Sequence, residues 1–302
     1  MALLEWTAPY RALAAPLMFL TFSLVVALPP LFLHILLHPL TYLPSPSRPA
    51  SYQFAALRSK FFYYSWRYLS PLADPNDAPK KRPLLAQARG TVLEVGPGVG
   101  DNIKYYNRSS VDRLILVEPN VNMHPDLLKK ANAAGFSVDD SSLQLLGCGG
   151  AASDETALAA AGVTFDSVDT VAAIHVLCGI PQPAHAIEMY RRFLKKGGLL
   201  LFYEHVRSEE SITAYMQSFI TRWIWTQTAD GCCLDRPTGA WILGGPDAAK
   251  GEALVTGLEM VNEAGKADGL VGRRWSKVEI KRPADHQRFS CIPHIMGWAV
   301  KA

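Results

Sequence analysis

The chain has no Cys-x-x-Cys pair and no cysteine–histidine cluster at zinc spacing; its five cysteines, Cys148, Cys178, Cys232, Cys233 and Cys291, are odd in number and scattered. That pattern argues against a disulfide framework and predicts a reduced, cytosol-facing protein with no metal. Arginine-rich and basic–aromatic stretches are also missing, and a formal charge of +3 is too small for a nucleic-acid groove, so no nucleic acid is expected as a partner. No internal repeat or low-complexity tract occurs. With 49% apolar residues among 302, the chain reads as one domain of roughly 200 to 250 residues with an attachment.

Another absence locates that attachment. From Ala12 to Ser47 there is no Asp, Glu, Lys or Arg, and the apolar run there is long enough to enter a bilayer as helix. A cleaved signal peptide fits poorly, because the basic n-region is only Arg11, the apolar stretch is too long and no clear small-x-small cleavage site closes it. Pro29-Pro30 divides it into pieces of about 16 and about 10 residues, each short of a straight span. Two geometries follow, a kinked span or a re-entrant hairpin with the prolines near its tip. A lipid membrane is therefore an expected partner through residues 12–47, and residues 1–47 form an anchor and linker. Basic residues from Arg48 to Arg82 bias the following domain toward the cytosol. Residues 48–89 read as amphipathic docking helices. Phe61, Phe62, Tyr64 and Trp66 with Arg58, Lys60 and Arg67 suit a headgroup surface, or a helix that packs on the domain and covers a substrate entrance.

From residue 90 to 302, apolar strands alternate with helical stretches. Strands are predicted at 91–96, 113–118, 143–148, 168–176, 199–205, 276–282 and 294–301, with helices at "NIKYYNR", "HPDLLKKANAAG" and "PAHAIEMYRRFLKKGG". This is an α/β pattern, a mostly parallel sheet with helices on both faces. "KKGG" before "LLLFYEH" predicts a helix stop with Gly197 or Gly198 in the left-handed cap.

The loop "VLEVGPGVGDN" follows the first strand, and Gly96, Gly98 and Gly100 permit a tight turn with close approach of a ligand to the backbone. It lacks a third glycine at the dinucleotide position, and Glu94 at its mouth would repel a pyrophosphate. A carboxylate there instead suits the positive ammonium and sulfonium of S-adenosyl-L-methionine. Glu118, followed by Pro119, closes the second strand where an acid can accept both ribose hydroxyls. His175 and Leu177, at the end of the fourth strand, stand over the same crevice. The alternatives are an exposed strand-end acid at Glu94 and an ordinary loop acid at Glu118. No acid directly follows the third strand, leaving Asp154 or the backbone of Cys148 to Ala151 for the adenine amino group.

"VLEVGPGVGDNIKYY", "LILVEPN", "HVLCGI", "LKKGGLLLFYEHV", "DGCCL" and "PHIMGWAVK", behind an apolar anchor, resemble the membrane-anchored methyltransferase-like thiol S-methyltransferases. The likeness covers about residues 85–235 and 290–302. It implies the Rossmann-like seven-stranded methyltransferase sheet with its last strand antiparallel. It also implies methylation of small thiols at the endoplasmic reticulum or lipid droplets. A segment around 236–272 looks like an insertion, in the region where acceptor pockets are built.

The expected partner is thus a small-molecule acceptor, a thiol by preference. A thiol with pKa near 8.5 is already a few per cent thiolate at neutral pH, so modest help suffices. His205, Asp230 and His175 are the catalytic candidates, with His294 behind them; Asp230 reads equally as a turn-forming Asp-Gly. Cys232 and Cys233 read as packing in a pocket wall, since a metal site there lacks partner ligands. "SITAYMQSFITRWIWTQ" is an aromatic amphipathic helix, core packing or lid, or the lining of an apolar acceptor site. O- or N-methylation of a lipid or quinone-like acceptor is the alternative chemistry, and a non-catalytic scaffold the alternative class.

Overall fold

The structure, a computed structural model, describes residues 14–42, 49–244 and 274–302. Its helices are α1 (Ala14–Leu37), α2 (Ala50–Leu85), α3 (His124–Ala133), α4 (Glu155–Ala160), α5 (Pro183–Phe193), α6 (Ser211–Ile220) and α7 (Thr238–Gly244). Five parallel strands, β1 (Gly90–Val95), β2 (Val111–Val117), β3 (Leu143–Leu146), β4 (Val168–Ile174) and β5 (Leu194–His205), lie in the order β3-β2-β1-β4-β5. At the far edge β6 (Trp275–Lys281) is antiparallel to β7 (His294–Lys301), and β7 is antiparallel to β5. This is the expected sheet, with only the last strand reversed.

Alternation along the strands builds a core on each side of the sheet. Leu93, Val95, Val171 and Ala173 pack with Ile187 and Tyr190 of α5 on one face. Val92, Leu114, Ala172 and Leu201 pack with Leu127 of α3 and with Leu84 and Leu85 of α2 on the other. Strands buried on both faces have no polar side to show, which is why they read as unbroken apolar runs. Their carboxyl ends gather at one edge of the sheet, and the site forms there.

Four local expectations are corrected. Pro29 and Pro30 do not divide the apolar segment: residues 14–37 form one helix of 24 residues, so the re-entrant hairpin is not the geometry found. At 1.5 Å per residue such a helix is roughly 36 Å long, and its mean hydropathy of 2.2 makes it long and apolar enough to cross a membrane. "NIKYYNR" contains only the short turn Ile103–Tyr105. "KKGG" is not a helix cap: α5 ends at Phe193, and Gly197, at φ 75°, sits in a bulge where the β4–β5 register shifts. The described part of the expected insertion carries α7, and residues 245–272 lie outside the described residues.

The fourth correction concerns α2, a single helix of 36 residues running through Pro71, Pro75, Pro79 and Pro83. Each interior proline removes a backbone hydrogen bond and costs an isolated helix about 3 kcal/mol. Tertiary contacts therefore hold it. Buried Asp74 is paired with Lys81, with Lys104 at 2.6 Å, and with the Tyr105 hydroxyl at 2.6 Å. Asp77 accepts from the Tyr203 hydroxyl, and Asn120 donates to the Ser59 carbonyl. Phe62 stacks on Trp66, and both turn toward the domain, so α2 covers the site in place of meeting headgroups through these two rings.

Burial alone would raise the pKa of Asp74, but donors from Lys104, Lys81 and Tyr105 overcome it and lower it to about 2. A depressed carboxylate stabilises the fold above its unfolded value of 3.8 and ceases to do so as pH falls through about 2. Asp74→Asn leaves Lys81 buried without its counter-charge, and is expected to lower unfolding free energy by about 3 kcal/mol at pH 7. The difference between variant and parent should shrink between pH 4 and pH 2, measured by urea denaturation.

Candidate active site

The glycine loop follows β1 as the sequence suggests. Gly96 and Gly98 lie at φ 62° and 58°, which only glycine adopts without strain. A Cβ at Gly96 would stand 2.4 Å from Val176 Cγ2, and one at Gly98 would stand 2.9 Å from Trp66 Nε1. Glu118 closes β2 and ties it to this loop: Oε2 accepts from the Gly98 amide at 2.9 Å and Oε1 from the Asn120 amide at 2.8 Å. Burial raises its pKa to about 7 against those two donors.

Glu94 behaves differently from the expectation. It lies on the pleat that faces α2, is fully buried, and does not border the cavity. Its Oε1 accepts from the Asn102 side-chain amide at 2.9 Å, and Asn102 is the residue on the cavity wall. Burial raises the pKa of Glu94, with Asn102 and the neighbouring Tyr106 hydroxyl opposing the shift. Glu94 therefore meets the cavity only through Asn102, whose side chain it holds. Beyond β3, Gly149, Gly150, Ala151 and Asp154 border the cavity, and Asp154 accepts from the Ala151 amide at 3.0 Å.

The opposite end of the cavity is a cluster of histidines and cysteines. His175 follows β4 with φ 54°, a left-handed residue that turns the chain sharply so that Val176, Leu177 and Cys178 fold over the end of β5. Glu204 holds this turn: buried within the sheet, its Oε1 accepts from the Val176 amide at 3.0 Å and the Leu177 amide at 2.9 Å. Arg236 donates to the carbonyls of Leu177 and Ile180 from the other side. Antiparallel register sets His205 opposite His294. The rings of His175 and His205 are stacked at 4.8 Å, and His294 is 5.0 Å and 4.7 Å from them. Cys232 Sγ lies 3.1 Å from Cys178 Sγ and 3.5 Å from His205 Nδ1.

This proximity separates the charges. The hydrogen bond from Cys178 and the His205 ring push the Cys232 thiol well below the usual range, although burial opposes them. Burial would lower His205, but the Cys232 thiolate outweighs it and raises the imidazole pKa. Burial holds His175 and His294 well below the ordinary histidine value, so both are neutral. Asp230, at φ 49°, forms a left-handed turn with Gly231 and is raised by burial.

One cavity of about 900 Å³ joins these parts. Of the expected cofactor residues, Gly96, Gly98, Glu118, Pro119 and His175 border it, whereas Glu94, Gly100 and Leu177 do not. Gly100 faces Ile103 and Leu127, and Leu177 belongs to the hydrophobic core. All three catalytic candidates, His205, Asp230 and His175, border the cavity. Sequence reasoning missed Glu204, Asn102 and the part played by Phe19 and Phe22, and gave Cys178 no role of its own; Phe62 and Trp66 lie on the helix that was expected either at headgroups or over a substrate entrance. Only Cys178 carried a usable signal, its place after the fourth strand within "HVLCGI".

The site's residues fit an adenosyl amino-acid cofactor: a loop with no room for a side chain, an acid closing β2 beside it, and a polar bend after β3. Residues 65–238 match the family described as Methyltransferase domain, and the chain belongs to that family. It is an S-adenosylmethionine-dependent methyltransferase. Among curated proteins it is similar to thiol S-methyltransferase TMT1B of Homo sapiens, 26% identical over 81% of this chain and 88% of that one. Thiol S-methyltransferase TMT1A of Homo sapiens is 28% identical over 80% of this chain and 86% of its own. A solved O-methyltransferase family protein from Burkholderia thailandensis shares the fold, with TM-score 0.50 and 14% identity over 86% of this chain. This chain covers 65% of that structure's length.

Burial raises the pKa of Glu204 to about 7. A raised carboxyl stabilises the fold below its unfolded value and loses that contribution as pH climbs through the folded value. Between pH 4.5 and 7 this group should remove about 3 kcal/mol of unfolding free energy. Glu204→Gln keeps an acceptor for the two amides and should flatten that slope in chemical denaturation. Glu204→Ala strands both amides and should cost about 2 to 4 kcal/mol.

Proposed function

We propose that the chain transfers the methyl group of S-adenosylmethionine to the sulfur of a small apolar thiol at a membrane surface. The observation carrying this reading is the shape of the cavity of about 900 Å³: glycine loop and acid at one end, histidines and cysteines at the other, apolar side chains between. Phe19 and Phe22 of α1 and Phe62 and Trp66 of α2 form much of that apolar wall. The curated relatives named thiol S-methyltransferase support the choice of sulfur.

The cofactor supplies an electrophilic methyl group, so the chain's own work is to bind, to align and to move one proton. Gly96, Gly98 and Glu118 are assigned to the cofactor, Glu118 accepting from its ribose hydroxyls and Pro119 flanking them. Asn102, oriented by Glu94, faces the amino-acid part. His175 closes the crevice between cofactor and acceptor. At the acceptor end His205 is assigned the thiol, since its Nδ1 already lies 3.5 Å from a sulfur. The raised carboxyl of Asp230 flanks it as a proton acceptor, and His175 stacks on the His205 ring and orients it. A thiol needs no stronger base than these.

The same helix α1 serves the membrane assignment. It is apolar enough to cross a bilayer, and through Met18, Phe19 and Phe22 it borders the cavity, so an acceptor dissolved in lipid has a short apolar route to the site. The basic stretch beyond it assigns the catalytic domain to the cytosolic side. Endoplasmic reticulum or lipid droplet is the compartment proposed.

Labelled methyl transfer across thiols, phenols and amines tests the acceptor. Apolar thiols are expected to be the fastest class, and greater rates on phenols or amines than on any thiol overturn the reading. A second measurement addresses Glu118. Ribose hydroxyls donate to its ionised form, so cofactor affinity should rise up to tenfold per unit as pH climbs toward 7, then level. Glu118→Gln should weaken binding about 10- to 100-fold and flatten this profile in calorimetric titration.

A further inference from the structure

Cys178, Cys232 and His205 come from three separate parts of the chain: the turn after β4, the loop preceding α7, and the end of β5. Their sulfur and nitrogen atoms all lie within 4.8 Å of one another. We propose that these three residues hold a zinc ion whose fourth position opens into the cavity and takes the sulfur of the acceptor thiol. The role of the fourth position rests on the thiol reading above; the metal site itself does not.

The donor set selects the metal. Two thiolates and an imidazole suit zinc and exclude hard cations such as magnesium or calcium. Tetrahedral zinc, with sulfur at about 2.3 Å and nitrogen at about 2.0 Å, requires a sulfur–nitrogen separation of roughly 3.5 Å. Cys232 Sγ and His205 Nδ1 are 3.5 Å apart. The same geometry asks for roughly 3.8 Å between the sulfurs, so the observed 3.1 Å must open by a small side-chain rotation.

A second observation points to a ligand at this spot. His175 Nε2 is buried without a hydrogen-bond partner, although such atoms are almost always satisfied. His175 and His294 offer ring nitrogens within 4.8 Å of that of His205, so imidazoles crowd around the one face that the cysteines leave open. All five residues border the cavity. Three protein ligands with one open position characterise a catalytic zinc, whereas four closed ligands characterise a structural one.

An acceptor thiol entering the fourth position displaces water, passes its proton through that water to solvent, and is held as thiolate. Its sulfur–methyl bond then forms as the sulfonium's carbon–sulfur bond breaks, with that bond's electron pair remaining on the cofactor's sulfur. Products are the methyl thioether and S-adenosylhomocysteine, and the ion is unchanged in charge.

Metal analysis of the purified full chain in detergent, after dialysis against micromolar zinc and then metal-free buffer, tests the site. One zinc per chain is expected in the parent, in Cys148→Ser and in Cys233→Ser, whose sulfur is turned toward Arg236. Cys178→Ser and Cys232→Ser should each retain at least tenfold less. Because those variants could fail to fold, the parent is also loaded with cobalt(II). Thiolate-to-cobalt charge-transfer bands in the near ultraviolet and tetrahedral ligand-field bands in the visible are expected, with both moving when a small thiol is added. A parent chain that holds no metal after thiol reduction, or variants that hold as much as the parent, overturn the proposal. A Cys178–Cys232 disulfide whose reduction does not restore zinc binding does the same. Bound cobalt whose bands ignore thiols leaves the metal site standing and removes its role in binding the acceptor. Transfer to thiols by a metal-free chain separates the two readings in the other direction.

Discussion

The histidine–cysteine end of the site depends on one buried carboxylate. Glu204 sits in the middle of the sheet and holds the amides of Val176 and Leu177 with a single oxygen. Those two amides belong to a turn that begins with a left-handed histidine, a conformation a branched or bulky residue adopts only under constraint. Without the carboxylate, nothing within the sheet would satisfy them. With it, His175 and Cys178 are brought to the end of β5, and His205, the next residue after Glu204, points to the opposite side of the strand and meets them. Strand alternation thus uses consecutive residues for two tasks, one holding the turn and one facing the cavity.

Two helices complete what the sheet begins. A methyltransferase sheet leaves its carboxyl edge open, and here α2 lies across it with Trp66 against Gly98 and with Asp74 anchored to Lys81 and Lys104. Helix α1 packs behind, Phe19 against Trp225 at 4.6 Å. The apolar segment therefore has two surfaces to satisfy. Most of its large side chains, Leu17, Phe32 and Leu36 among them, remain exposed, while Phe19 and Phe22 border the cavity. The four prolines of α2 fit the same picture, for a helix that could not persist alone is maintained where its docking contacts hold it.

Much of this was readable beforehand. Apolar runs located the central strands β1, β2, β4 and β5, because strands covered on both faces can carry little polar alternation, whereas the edge strand β6 reads "WSKVEIK". The glycine loop and Glu118 fell where strand-then-turn logic puts them. Glu94 was expected at the loop's mouth facing a ligand, yet its direction was not readable: one step along a pleated strand decides between cavity and core, and Glu94 faces the core. The apparent lack of partners for Cys232 was an artefact of looking along the chain, since its neighbours Cys178 and His205 lie 54 and 27 residues away.

By itself the sequence determined the seven strands, the glycine loop with its strand-end acid, and an apolar N-terminal segment, because each rests on local periodicity or on the needs of a few adjacent residues. The tertiary structure alone decided that α1 and α2 wall the cavity, that Glu94 is buried behind Asn102, and that two cysteines and three histidines share one end of it. Those facts depend on strand register and on the packing of distant segments, which the spacing of residues along a chain does not encode.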